Sequence, residues 1–470
     1  MTFNSLTFAI FFLCVIFSYY TFNNWVVRKH ILLLSSYIFY AAWNPIFILL
    51  LWISTLVDWF AAKRISSSEN VRKKFWLLLS LSTNLGILAY FKYGHFILSN
   101  FVNFFEKLGI HYAPPSISFV LPMGISFYTF QTLSYTIDIY RGKLAPAESF
   151  LDYALYVTFF PQLVAGPIVR ATHFIPQCKT PKKFVKDRFG WGCIMLTIGL
   201  FQKNIVADEL FAHMADQAFS DVATSNFLNA WVGTLAFAGQ IFCDFSGYSN
   251  CAIGAALCLG FALPDNFRFP YAAIGFSDFW RRWHISLSSW LRDYLYIPMG
   301  GNRNGIFAQG RNLIFTMLLG GLWHGASWTF VAWGGIHGLL LVTEVGLIKK
   351  FGHHQIWHNA VGRRFLQLST FFLVCITWVF FRATDFSSAF SMIFLMFSPN
   401  TMSGFPTLRE FSVVVGMLFL VAIHWHLRDL NLKVWAEKMP KWGMSIAIAL
   451  MLFSVFTIHG TNHGFIYFQF

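Results

Sequence analysis

The sequence predicts an all-α, polytopic integral membrane protein. Of its 470 residues 56% are hydrophobic and only 11% are charged, and mean hydropathy is +0.56; that balance belongs to membrane chains. Long apolar stretches recur along the chain, separated by short segments that concentrate Lys and Arg. Aromatic residues reach 20%, with 57 Phe and 18 Trp, so much of the lipid-facing and core surface is expected to be aromatic. The net charge of +14 does not indicate nucleic acid, because the basic residues cluster between apolar runs as cytoplasmic anchors do. Seven cysteines form no CxxC pair and no zinc-ligand spacing, so neither disulfides nor a metal is indicated.

Taken in order, Leu6–Phe22 reads as a retained first helix. It lacks the basic leader and small-residue cleavage site of a signal peptide. Arg28, Lys29 and His30 then place its C-terminal end in the cytoplasm. Residues 31–60 hold two short apolar pieces broken at Asn44-Pro45, followed by a basic loop with Lys63, Arg64, Arg72, Lys73 and Lys74. Residues 75–90 read as a crossing and 96–105 as a shorter, interfacial piece. A Pro114-Pro115 turn precedes a helix over 121–142 whose start Pro122 and Gly124 kink. Pro161 and Pro167 distort any helix over 153–169. Residues 170–188 form the largest basic loop, placed in the cytoplasm. Crossings follow at 191–205 and 231–263, the second carrying Asp244. A buried aspartate there is paired or protonated; a structural hub and a catalytic or donor-binding role stay open. Spans are expected at 365–381, 413–424 and 444–456. His353, His354, His358, His424 and His426 sit near segment ends and read as interfacial.

The chain is organised around Gly320–Gly338, GGLWHGASWTFVAWGGIHG, which holds two histidines, three tryptophans and six glycines. As one helix the 37 residues between Arg311 and Lys349 would be about 56 Å long, well beyond a roughly 30 Å hydrocarbon core. The run must bend or cross twice, and its glycines are the natural breaking points. On one helix His324 and His337 would lie about 140° apart, so they share a site only if the backbone breaks, expected at Gly334-Gly335. Mid-membrane imidazoles are functional candidates. The alternative is a glycine packing seam whose histidines bond neighbouring helices.

FSDFWRRWHISLSSWLRDYLYIPMGGNR (276–303) is the most amphipathic element. Ser277 is the expected N-cap, with Asp278 at the positive helix end. Phe279, Trp283, Leu287, Trp290 and Tyr294 recur at i+3 or i+4 as one stripe. Arg281, Arg282 and Arg292 lie mostly away from it. The helix either rests in the membrane interface or presents these arginines to the phosphates of an activated donor.

Five motifs in this order, LPMGISFYTFQ…DIYRG, FFPQLVAGPIVR, QIFCDFSGYSN, FWRRWHISLSSWLRDYLYIPMGGNR and GGLWHGASWTFVAWGGIHG, with the closing FIYFQF, closely resemble the membrane-bound O-acyltransferase superfamily, in its bacterial polysaccharide-acetylating, alginate O-acetylation branch. The resemblance implies one membrane-embedded domain over 1–470, motif-rich at about 121–345. It implies about 10–12 membrane helices plus short re-entrant or interfacial helices around a central tunnel. It makes His324 the essential histidine and His337 a supporting one; His284 and Asp244 are candidates for the second catalytic group, since FWRRWHISL holds none of the asparagine that eukaryotic relatives use. Arg281, Arg282, Arg292, Trp323 and Trp328 are the expected donor-binding residues. The donor implied is acetyl-CoA, a substrate rather than a cofactor, taken from the cytoplasmic side of the bacterial inner membrane. A periplasmic partner acetyltransferase and an exported polysaccharide complete the set, and nucleic acid has no part. A thioester is already electrophilic, so the protein must deprotonate the attacking hydroxyl and stabilise the oxyanion. Peptidoglycan O-acetylation and D-alanyl transfer to teichoic acid are the alternatives among enzymes. A transporter would show two related halves, and none is visible; a scaffold for an export complex would need no mid-depth polar groups.

Overall fold

A computed structural model describes residues 1–111, 114, 120–357, 359–401, 405–458 and 464–466; Pro115, His358 and the last four residues of FIYFQF lie outside them. Every regular element among the described residues is helical. Helices start where a side-chain acceptor meets the orphan N–H groups of a first turn. Ser5 caps α1 (Leu6–Thr21) and Asn24 caps α2 (Trp25–Ala41). Asn44 and Pro45 open a short turn that leads into α3 (Ile48–Ser67). Next come α4 (Asn70–Lys107), α5 (Ile125–Tyr140), α6 (Phe150–Thr158), the single turn α7 (Phe160–Leu163), α8 (Ala171–Lys179) and α9 (Lys186–Phe201).

The chain forms two compact units. The first comprises Met1–Cys193 and Ala252–Pro264. Its start at α5 depends on Gly124, which takes a left-handed φ of +72° and whose Cβ would lie 2.5 Å from the Leu163 carbonyl oxygen. Its helices are bolted by buried polar groups rather than by apolar contact alone. The Asp58 carboxylate on α3 accepts from Ser80 Oγ (2.6 Å) and Asn84 Nδ2 (2.9 Å) on α4, and Ser80 Oγ lies 3.1 Å from Thr136 Oγ1 on α5. A buried ion pair, Lys29–Asp152, joins α2 to α6.

The second unit comprises Ile194–Cys251 and Asp265–Phe470. A π-helical stretch, Gln202–Ala212, continues α9 into α10 (His213–Ser220), and α11 runs over Phe227–Cys258. Two short helices, α12 (Phe276–Arg282) and α13 (Ile285–Leu291), precede a π-helical turn at Arg292–Tyr296. The hairpin α14 (Gly305–His324) and α15 (Trp328–Phe351) follows, then α16 (Ala360–Arg382), α17 (Phe386–Met396), α18 (Leu408–Leu427), α19 (Leu432–Lys438) and α20 (Lys441–Thr457).

Among the described residues six helical segments are long and apolar enough to cross a membrane, or seven if the bent pair α19–α20 counts as one span. That is fewer than the 10–12 expected. Polar residues and length explain the gap: α1 has only 16 residues, and α14 carries Gln309, Arg311 and Asn312. Other expectations change too. Residues 75–90 and 96–105 belong to one helix, the 38-residue α4, because no Pro or capping residue interrupts them. The basic residues at 63–74 lie on the facing ends of α3 and α4 rather than in a loop, and 170–188 contains α8. Arg28 and Lys29 are buried in α2, not a solvated flank, since Lys29 has Asp152 to neutralise it. His424 is buried as well, its Nδ1 accepting the Tyr271 N–H (3.2 Å).

Candidate active site

The Gly320–Gly338 run makes its bend in the three residues that follow His324. The break falls at Gly325–Ser327, not at Gly334-Gly335 as the spacing suggested. Gly325 is extended, and any Cβ there would meet the Phe330 ring at 2.2 Å. Ser327 then caps α15 through the Thr329 N–H. The remaining glycines let the two arms touch backbone to backbone. A Cβ on Gly321 would lie 2.2 Å from the Phe330 oxygen, and one on Gly334 2.2 Å from the Met317 oxygen. The packing seam is thus present, and the close approach of its arms sets Trp333 between the two histidines.

His324 is 2% exposed. Its ring centroid lies 5.0 Å from Trp323, 5.1 Å from Trp333, 5.4 Å from Phe381 and 6.4 Å from His284. His337, one turn past Trp333 and 4.8 Å from it, stacks on Phe279 and meets Trp280 edge-on. Its Nε2 is 3.0 Å from Thr377 Oγ1, whose own hydrogen goes to the Val374 carbonyl; His337 therefore donates, and its Nδ1 keeps a lone pair. The indole N–H groups of Trp280, Trp333 and Trp378 are buried and have no acceptor among the described residues. Native proteins seldom bury donors this way without a functional reason.

The amphipathic element is not one helix. Its N-cap is Gly275, not Ser277, and the chain kinks at His284, which takes a left-handed φ of 41°. The Glu344 carboxylate of α15 does the capping instead, accepting from Ser277 N (2.8 Å) and Oγ (3.2 Å). The aromatic stripe keeps its sequence period across the kink, yet it faces protein: Phe279, Trp283, Leu287, Trp290 and Tyr294 are all buried. An interfacial placement of that stripe is excluded by its packing against His337 and Trp378. The kink brings His284 between Phe245 (4.6 Å) and Trp323 (5.9 Å). Burial pushes its imidazole pKa down to about 3, so it is neutral at any physiological pH.

Of the expected donor-binding residues, only Trp323 lies in this aromatic box. Arg282 is committed elsewhere: its guanidinium bonds Asp278 (2.9 Å), the Arg268 and Arg428 carbonyls and Asp429. Arg281, Arg292 and Trp328 are exposed, with Arg292 paired to its neighbour Asp293. Asp244 is buried and paired, 2.6 Å from Lys203 of the π-helical stretch, and accepts the Ile466 N–H at 2.8 Å. Lys203 also bonds Asp208 (2.8 Å). Sequence reasoning missed Asn266, Thr377, Trp280 and Phe381. Asn266 lies outside FWRRWHISL, 18 residues before His284, with Oδ1 3.1 Å from its Nδ1.

The chain is an all-helical, multi-pass membrane protein with a buried cluster of histidines and tryptophans. The chain belongs to the membrane-bound O-acyltransferase (MBOAT) family, whose profile matches residues 146–390, and it is an O-acyltransferase. It is 40% identical over 408 residues to the probable alginate O-acetylase AlgI of Pseudomonas aeruginosa, covering 85% of this chain and 76% of the relative. It is 38% identical over 400 residues to the peptidoglycan O-acetyltransferase of Helicobacter pylori, covering 79% and 74%. To the teichoic acid D-alanyltransferase of Bacillus subtilis it is 26% identical over 290 residues, covering 59% and 72%.

Proposed function

We propose that the protein takes an acetyl group from cytoplasmic acetyl-CoA at the bacterial inner membrane and passes it outward for O-acetylation of an exported, alginate-like polysaccharide, with a periplasmic acetyltransferase completing the transfer. The likeness to alginate O-acetylases over 85% of the chain supports the acceptor class. The peptidoglycan O-acetyltransferase likeness is nearly as strong, which makes acetyl the favoured group and a cell-wall glycan the second acceptor.

His324 is the general base in this reading. The observation that carries it is the pairing of a buried imidazole with buried indole donors in one aromatic box. His324 takes the proton from the acceptor hydroxyl as its oxygen attacks the thioester carbonyl carbon. The carbonyl oxygen becomes an oxyanion, for which Trp333 and Trp280 supply N–H donors. Collapse breaks the C–S bond, and the proton on His324 leaves with the thiolate as the CoA thiol. Water-poor surroundings strengthen each of these interactions. Arg281 and Arg292, exposed and close in sequence to the site, are suited to the phosphates of the donor; Arg282 is not, being fully bonded.

His324→Ala should lower the rate of CoA release from acetyl-CoA by about 10²–10⁴-fold, the usual value of a positioned general base. His324→Gln, which keeps a polar side chain without the basicity, should fail almost as badly. Near-normal CoA release from well-expressed His324→Ala protein would remove His324 as the base.

A further inference from the structure

His284 is held by a side chain 18 residues earlier in the sequence. The segment at 266–268 pairs by backbone with the kink: Ile285 N donates to the Asn266 carbonyl (2.9 Å), and Arg268 N to the Arg282 carbonyl (2.9 Å). Between those bonds the Asn266 side chain, 1% exposed, turns toward the kink. Its Oδ1 accepts from Ser286 N (3.3 Å) and Ser286 Oγ (2.9 Å) and lies 3.1 Å from His284 Nδ1. Its Nδ2 donates to Ser249 Oγ (3.1 Å).

These bonds settle which way the amide points. A backbone N–H only donates, so the Asn266 atom facing Ser286 N is the oxygen. An oxygen with no hydrogen then requires His284 Nδ1 to carry one. In the neutral ring that leaves Nε2 as the acceptor. We propose that Asn266 is a positioning residue for the His324 site: it holds His284 in the Nδ1–H tautomer, so that His284 brings an acceptor nitrogen beside His324. The inference rests on the reading of His324 as the base and adds the group that orients its neighbour.

The chemical consequence follows from the 6.4 Å between the two ring centroids. When His324 takes the hydroxyl proton it becomes an imidazolium with two N–H donors. His284 in the opposite tautomer would face that cation with another N–H and repel it. In the Asn266-bound tautomer it turns a lone pair rather than an N–H to that side, which favours the charged form of the base. This is the base-and-orienter arrangement found wherever an imidazole must carry a transient charge, with a neutral imidazole and an amide in the orienting roles.

The titratable groups on elements packed about His284 are few. His324 comes from α14, and Asp244 on α11 is paired with Lys203. Asp265, beside Asn266, is exposed. Arg282, two residues before His284, is bound to Asp278.

Inverted inner-membrane vesicles from a deletion strain carrying each variant expose the cytoplasmic face to acetyl-CoA and retain the native acceptor. The quantity measured is CoA release, less that of His324→Ala vesicles, across pH, with the folded amount determined alongside. Asn266→Ala should lower kcat about 10–100-fold, the usual effect of losing a group that orients a functional imidazole, with KM for acetyl-CoA within twofold. Asn266→Asp keeps the acceptor and adds a negative charge. That charge favours protonated His284, which no longer accepts, so the acid limb of kcat should move to higher pH while activity at high pH returns toward wild type. A purely structural role would lower activity equally at every pH, in step with folded protein.

A kcat within threefold of wild type in Asn266→Ala overturns the inference. So does an Asn266→Asp protein whose pH profile is unmoved, a near-normal His284→Ala, or unfolding of both Asn266 variants. Failure of the general-base reading looks different, because it appears as CoA release that survives His324→Ala.

Discussion

Arg282 shows how one residue's chemistry is decided by its partners. Sequence spacing set it with Arg281 and Arg292 as a phosphate receptor, but Asp278 lies between Arg282 and Arg428 at 2.9 and 2.8 Å. Arg282→Gln should therefore destabilise the protein by about 3–5 kcal/mol, the range for leaving one member of a buried pair alone, and lower its melting temperature. Arg281→Gln with Arg292→Gln should leave melting unchanged and raise KM for acetyl-CoA; an unchanged KM would remove these two from the donor site. The same network carries a pH signature. Burial alone would raise the Asp278 pKa, but the Ile274 N–H, Arg282 and Arg428 hold it below the ordinary carboxylate value. Its contribution is thus complete above about pH 4 and is lost as pH falls through the lower, folded value. Melting curves of wild type and Asp278→Asn should converge in acid and separate above it. That His324 and His337 are buried was legible in the sequence, because an imidazole in an apolar run has no bland solvated reading. Asn266 was not, since an amide beside Asp265 and Pro264 reads as a turn residue, and only the backbone pairing of 266–268 with the kink gives it His284.

Elements were legible where a local signal marks their ends. The interruption at Asn44-Pro45 falls where Asn and Pro placed it, and α5, expected from 121, begins at Ile125 just past Gly124. The amphipathic element misled because periodicity reports which side is buried, not whether the backbone is continuous. α12 and α13 bury the same side, so Phe279, Trp283, Leu287 and Trp290 keep a helical spacing through a left-handed residue. The glycine run misled in the opposite sense: Gly334 serves contact between the hairpin arms, and the turn belongs to Gly325. Gly334→Ala would set a methyl 2.2 Å from the Met317 oxygen, and the arms must part. We expect a loss of about 1–3 kcal/mol, as for overpacked cores. Gly346 has nothing within 4 Å of its Cβ position, and Gly346→Ala on the same helix should be neutral or stabilising. Equal melting temperatures for the two variants would contradict the close crossing. Glu344 is the second element-scale test. Its carboxylate caps α12, and Glu344→Ala removes an acceptor from both Ser277 donors, at a cost of about 0.5–2 kcal/mol for a lost cap.

At the scale of the whole chain the basic residues predict an orientation. Glu69 lies between α3 and α4, flanked by Lys63, Arg64, Arg72, Lys73 and Lys74; Lys183 lies between α8 and α9 in the most basic stretch. Positive charge near the ends of crossings is retained on the cytoplasmic side, so both positions are expected to face the cytoplasm. Both are exposed, and a cysteine at either would be open to a water-borne reagent. Cys14 and Cys193 are exposed as well, so the experiment needs a background with these two replaced by Ser. Glu69→Cys and Lys183→Cys should resist a membrane-impermeant maleimide in intact spheroplasts and react once the membrane is opened. On the proposed function the orientation matters for chemistry: a cytoplasmic 170–188 stretch would raise the local concentration of an anionic CoA thioester on the side from which it is taken. Such steering is screened by salt, so kcat/KM for acetyl-CoA should fall as ionic strength rises while kcat stays constant. Labelling of either cysteine from the periplasmic side would reverse the orientation and leave that basic stretch on the wrong face for the donor.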